Sequence, residues 1–88
     1  MSAWFVYVLR CNDGTLYTGI TTDLARRERE HNVSARGARY TRSRQPVALV
    51  YSEQLANRSE AAKREYAIKQ LSLAAKVRLI SPSEYPFP

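Results

Sequence analysis

Hydrophobic residues fall in short blocks separated by polar and mostly basic stretches. The first block, Trp4-Phe5-Val6-Tyr7-Val8-Leu9, is apolar at both alternating positions, which suits a strand covered on both faces. Asn12-Asp13-Gly14 reads as a turn, because these residues tolerate the left-handed backbone of a tight hairpin, and Leu16 to Ile20 is the returning strand. Gly19 sits inside that strand, where a missing side chain marks a bulge or a close approach to the backbone. Thr22 or Asp23 caps a helix running through Leu24, Arg27 and His31 to about Val33. The stretch from Ser34 to Gln45 is polar, basic and partly irregular. After Pro46, Val47-Ala48-Leu49-Val50-Tyr51 is β-branched and aromatic enough for a third strand. Asn57 with Glu60 three residues on has the form of a capping box, opening a helix from about Arg58 to Leu71. Ser72 starts a last short helix carrying Leu73, Ala74, Val77 and Ile80, which Ser81-Pro82 ends.

The pattern predicts the order β-β-α-β-α-α, an α/β (α+β) sandwich with helices packed on a three-stranded sheet. A chain of 88 residues has room for one core, so residues 1–81 form a single domain and 82–88, with Pro82, Pro86 and Pro88, a Pro-rich tail. The longest apolar run, Trp4 to Leu9, is far below the roughly 20 residues of a membrane-spanning helix and lacks the flanks of a signal peptide. Cys11 is the single cysteine, which excludes an intramolecular disulfide framework and an all-cysteine zinc site and fits a cytoplasmic protein.

Charge narrows the function. Fourteen Lys and Arg against eight Asp and Glu give a net charge of +6. Lysine contributes only Lys63, Lys69 and Lys76, so the excess is mainly arginine, the side chain that pairs bidentately with phosphate. Arg26, Arg27, Arg29, Arg36, Arg39, Arg42 and Arg44 fall within one stretch opposed only by Glu28 and Glu30, which points to a polyanion such as nucleic acid. Tyr40 interleaves with them; stacking on an unpaired base and anchoring a basic loop to the core account for it equally.

Three features do not reduce to packing alone. On a wheel of about 100° per residue, Ala61, Ile68 and Leu71 define the apolar side of the Arg58–Leu71 helix, and Glu65 falls inside it. A carboxylate there either pairs with a nearby arginine at the stripe's edge or serves as a ligand. Arg27 and His31, four apart and close to Leu24, either line a cleft or belong to a solvated helix face. His31, the one histidine, has the only side chain with an unperturbed pKa near neutrality. Tyr7 and Tyr17, five positions either side of Asn12, are near-opposite neighbours across the hairpin, as core tyrosines or as phenols at the mouth of a cleft.

The ordered series Tyr7, Tyr17-Thr18-Gly19, Arg27, His31 and Glu65 resembles the GIY-YIG nuclease domain, and most closely its small single-domain bacterial members of the YhbQ kind. The resemblance spans roughly residues 4 to 72 and rests on the order of the motifs and their ten-residue steps. Where the family name has Gly-Ile-Tyr and Tyr-Ile-Gly, this chain has Phe5-Val6-Tyr7 and Tyr17-Thr18-Gly19, so the phenols and the second glycine match. The resemblance implies a three-stranded antiparallel sheet flanked by helices and an endonuclease that hydrolyses phosphodiester bonds in DNA, in repair or recombination. It implies one divalent ion, Mg²⁺ or Mn²⁺, on Glu65, with Arg27 on the scissile phosphate, Tyr7 or Tyr17 as base or orienter of water, and His31 as a helper in proton transfer. Single-stranded or branched DNA is the expected partner, with a protein partner supplying specificity. The alternatives are a non-catalytic nucleic-acid-binding module and a domain that recruits a repair protein.

Overall fold

The computed structural model describes residues 3–33 and 38–81. Seven elements follow one another: β1 (Trp4–Arg10), β2 (Leu16–Thr21), α1 (Leu24–Val33), α2 (Arg39–Arg42), β3 (Ala48–Leu55), α3 (Arg58–Lys69) and α4 (Leu73–Ile80). The strands form one antiparallel sheet in the order β2-β1-β3. The doubly apolar strand β1 therefore takes the centre. Its alternating side chains feed two cores on opposite faces of the sheet. Tyr7, Leu9 and Cys11 pack with Val47, Tyr17, Leu24 and Leu49. Val6 and Val8 pack with Ile68 of α3 and with Leu79 and Ile80 of α4.

Two differences from the sequence reading concern the middle of the chain. The basic segment contains the four-residue helix α2, so the order is β-β-α-α-β-α-α. Strand β3 starts at Ala48 and runs on to Leu55, past the expected end at Tyr51. Ser52, Glu53 and Gln54 look unlike a strand in sequence because β3 lies at the sheet's edge, where one row of side chains meets solvent. The Pro-rich tail lies outside the described residues.

Local chemistry explains the element ends. Gly14 takes a positive φ of 85° in the hairpin turn, where Asp13 Oδ1 accepts hydrogen bonds from the Thr15 amide and hydroxyl. Asp23 Oδ1 accepts from the Arg26 amide and caps α1. Asn57 caps α3 by accepting from the Glu60 amide, while the Glu60 carboxylate pairs with Lys63. Ser72 caps α4 through the Ala75 amide.

Side chains of α1 tie it to the entry of β3. The Asn32 amide mimics a strand by donating to the Val47 carbonyl and accepting from the Val47 amide, at 3.0 and 2.7 Å. The register of β1 on β3 shifts between Val8, paired with Tyr51, and Leu9, paired with Leu49. Beside this shift, Glu28 accepts from the Leu49 amide at 2.8 Å. Gln45 donates to the carbonyl of His31 at 2.6 Å. On α3, Arg64 forms a two-pronged pair with Glu53 of β3, at 2.9 and 2.8 Å, and Tyr51 donates to the same carboxylate. That fork fixes the rotation of α3 one residue before Glu65.

Candidate active site

Tyr7 is the centre of the site. Its residue partner across the hairpin is Gly19, not Tyr17, which pairs with Leu9. The two tyrosines are thus diagonal neighbours on one face, with ring centroids 6.4 Å apart, because the hairpin turns about Asp13 and not Asn12. A Cβ built on Gly19 would lie 2.5 Å from the Tyr7 hydroxyl oxygen, so the missing side chain is what lets the phenol lie across β2. Of the two readings of Gly19, close approach is the observed one.

His31 is fully buried on α1, with Nε2 2.9 Å from the Tyr7 hydroxyl and Nδ1 2.7 Å from the Thr41 hydroxyl. Its ring centroid is 5.9 Å from that of Tyr7 and 5.2 Å from that of Tyr17. Arg27, one helical turn earlier, bonds Glu30 at 3.0 Å and also holds the Tyr7 hydroxyl. Burial alone would lower the Arg27 pKa, but these two partners outweigh it and hold the guanidinium charged.

Burial pushes the Tyr7 phenol up to about 12, the Arg27 hydrogen bond opposes the shift, and Tyr17 and the Glu65 charge add smaller upward pushes. Burial and then the charge of Arg27 lower the His31 imidazole to about 4, against a smaller pull from Glu30. At neutral pH the pair is therefore a phenol beside a neutral imidazole. Because the folded-state value of His31 lies below its unfolded value of 6.5, the unfolded chain binds the extra proton first as pH falls. The associated stability, about 3 kcal/mol, is fully present above pH ~6.5 and is lost as pH falls towards ~4. An NMR titration of this single imidazole should show it neutral down to about pH 4; a midpoint near the ordinary histidine value would contradict this buried placement.

Glu65 lies on α3, the layer across the sheet from α1, yet its carboxylate charge acts on Tyr7. Its partner is Lys69 on its own helix, at 3.2 Å, and not an arginine. Among the described residues no three His, Cys, Asp or Glu side chains gather as an all-protein metal cage. A lone half-buried carboxylate suits Mg²⁺ or Mn²⁺, hard ions that keep several waters and take one or two carboxylates plus substrate oxygens. Tyr7 meets Tyr17, Arg27 and His31, Tyr17 also packs on His31, and the Glu65 charge acts weakly on Tyr7.

The basic residues divide. Arg29, Arg39 and Arg42 are exposed and carry no ion pair within the described residues. Arg26 is exposed and 3.9 Å from Glu30. Arg36 lies outside the described residues. Arg44 pairs with Asp13 at 2.9 Å, donates to the Tyr40 carbonyl at 2.8 Å and covers the Tyr40 ring at 3.9 Å. Tyr40 also stacks on Tyr17, with centroids 5.9 Å apart. Tyr40 and Arg44 thus brace the site wall. Thr41 was not singled out from sequence; only its fold partner, His31, reveals it, and no local pattern signals that contact.

The GIY-YIG catalytic domain family matches residues 3–78. The chain belongs to this family. A UPF0213 protein of Desulfotalea psychrophila is 67% identical over 85 residues, covering 97% of this chain and 77% of that protein. One from Halobacterium salinarum is 57% identical over 74 residues, covering 84% of this chain and 95% of its own length. The solution structure of a UPF0213 protein from Bacillus halodurans superposes with a TM-score of 0.59 at 43% identity, covering 96% of this chain and 88% of that one. The solution structure of a protein from E. faecalis gives a TM-score of 0.60 at 36% identity, covering all of this chain and 94% of that one. GIY-YIG membership implies a nuclease superfamily, a nucleic-acid substrate and a divalent metal as the common cofactor. Among the described residues no helix is long and apolar enough to cross a membrane.

Proposed function

We propose that this GIY-YIG chain is a metal-dependent endonuclease that hydrolyses phosphodiester bonds in DNA. The observation that supports this most is the contact of Tyr7, Arg27 and His31 at one point on which the Glu65 charge also acts. A module that only binds a polyanion has no use for a carboxylate facing it. When bound on Glu65, a divalent ion supplies Lewis-acid polarisation of the phosphate and stabilises charge on the leaving oxygen.

The chain's own residues do the rest. The Arg27 guanidinium, held charged, grips a non-bridging phosphate oxygen and offsets charge growing there. The Tyr7 hydroxyl oxygen accepts a proton from the attacking water while His31 Nε2 takes the phenol's own proton. A phenol with a pKa near 12 stays protonated at neutral pH, so these transfers run together and no phenolate stands alone. Tyr17 packs on His31 and orients it. Exposed Arg26, Arg29, Arg39 and Arg42 hold the flanking backbone phosphates, and Arg36 joins them by its place in the same basic run. Single-stranded or branched DNA is the substrate class, with DNA repair as the setting and a protein partner setting specificity.

The test is cleavage of single-stranded, duplex and branched DNA by the purified protein with Mg²⁺ or Mn²⁺. Arg27→Ala should slow cleavage by about 10²–10³-fold, as expected for removal of one charge-stabilising donor. Metal-independent binding with every substrate left intact would instead identify a nucleic-acid-binding module, and weak binding with a stable protein partner a recruiting domain.

A further inference from the structure

We infer that Thr41 is a positioning residue that holds His31 in the tautomer protonated at Nδ1, leaving Nε2 free to take the Tyr7 proton. The inference rests on the nuclease reading only for its consequence in catalysis; the tautomer itself is a property of the folded chain. Thr41 is fully buried, on the four-residue helix α2. Its hydroxyl lies 2.9 Å from the carbonyl of Ala38 and donates to it, bonding backwards by three residues as threonines in helices do. With that hydrogen engaged, the oxygen turns a lone pair towards Nδ1 at 2.7 Å, and Nδ1 must supply the hydrogen between them.

One contact argues the other way. The Ala38 amide lies 3.4 Å from Nδ1 and would favour a bare nitrogen there. The Thr41 contact is 0.7 Å shorter (3.4 − 2.7), and hydrogen bonds weaken steeply with distance, so Thr41 prevails. The far side of the ring agrees. Arg27 can only donate to the Tyr7 oxygen, so the buried phenol hydrogen needs an acceptor, and Nε2 at 2.9 Å is in place to be one. The opposite tautomer would aim Nε2–H at an oxygen already receiving a hydrogen and would leave the phenol hydrogen without this partner.

The resulting chain runs from the Tyr7 hydroxyl to Nε2 and from Nδ1–H to Thr41, whose own hydrogen rests on Ala38. As the water gives a proton to Tyr7, the phenol proton forms a bond to Nε2 and the Nδ1 hydrogen stays on the ring. Tyr7 begins and ends as a neutral phenol, the water leaves as the oxygen nucleophile, and His31 becomes a transient imidazolium, which burial and Arg27 disfavour in the free protein and the negative charge of the bound phosphate offsets. Thr41 then accepts a stronger, charge-assisted hydrogen bond from the cation.

The experiment uses the full chain labelled with ¹⁵N, in which a single histidine gives one unambiguous imidazole spectrum. The parent and Thr41→Ser should show the Nδ1-protonated form near neutral pH, and Thr41→Val a shift to the Nε2-protonated form. Cleavage by Thr41→Val should fall by about 10-fold or more, with Thr41→Ser close to the parent, in line with the loss of part of a general-base contribution. An Nε2-protonated parent, or a valine variant with an unchanged tautomer, overturns the inference; the parent measurement decides it even if the valine variant does not fold. A parent with the predicted tautomer that cleaves no DNA supports the positioning role and rejects the nuclease reading.

Discussion

Glu65→Gln should abolish cleavage, by about 10³-fold or more, while leaving the fold intact. The two halves of this expectation have different physical origins. The Lys69 partner is half exposed and four residues away on the same helix, an arrangement that contributes only about 0.3–0.5 kcal/mol. The fold is held by Ala61 and Ile68 on the buried side of α3 and by the Arg64–Glu53 fork, none of which the substitution touches. Activity has no such reserve. In the proposed mechanism the cation rests on this carboxylate, and a neutral amide is a poor ligand for a hard ion. If Glu65 faces the nucleic acid as proposed, DNA affinity should hold or rise, since the substitution removes a negative charge there. Denaturant unfolding, metal-free DNA binding and Mg²⁺-supported cleavage, measured on one preparation, separate these effects. A cleavage rate equal to the parent's would remove Glu65 from the mechanism.

Gly19→Ala should damage both stability and activity, for a reason the backbone conformation does not supply. Among the described residues Gly14 is the glycine with positive φ; Gly19 is strand backbone that alanine can adopt. The obstacle is Tyr7. The new methyl would lie 2.5 Å from its hydroxyl oxygen, 2.7 Å from Cζ and 3.1 Å from Cε2. Tyr7 is 2% exposed and bonded to a buried His31, so the ring has no free volume into which to swing. Overpacking of this kind costs about 1–3 kcal/mol, and any relief moves the hydroxyl off Nε2. Reduced unfolding free energy together with a changed His31 imidazole spectrum and lost cleavage is the expected result. Parent-like stability with parent-like cleavage would show that β2 yields without disturbing Tyr7, and that Gly19 is not what seats it.

These two residues also show what was legible in advance. Glu65 stood out because a charged group on an apolar helical stripe violates a local rule, and Gly19 because a strand interior rarely gains from a glycine. In both cases sequence left two readings open: an edge carboxylate or a ligand, a bulge or a close approach. For Gly19 the fold supplied the answer by laying the Tyr7 ring across it. For Glu65 it replaced the expected arginine partner with Lys69 and added an influence on Tyr7 from the far side of the sheet.

What the sequence determined by itself is what depends on neighbours within a few positions. The doubly apolar central strand, the Asn12-Asp13-Gly14 turn, the caps at Asn57 and Ser72, and the Ala61 and Ile68 part of the helix stripe follow from short-range periodicity and backbone chemistry, whereas α3 stops at Lys69 and leaves Leu71, expected on that stripe, exposed beyond it. What only the tertiary structure decided is what depends on residues far apart in the chain meeting. Helix α2 is too short to show a period, and β3 hides its last residues behind an edge strand's polar face. The pairing of Arg44 with Asp13, 31 positions away, braces the hairpin. The placement of Thr41 against His31, ten positions on, gives the imidazole its second partner. Spacing along the chain carries no information on either contact, because each is set by how α1, α2 and the hairpin pack together.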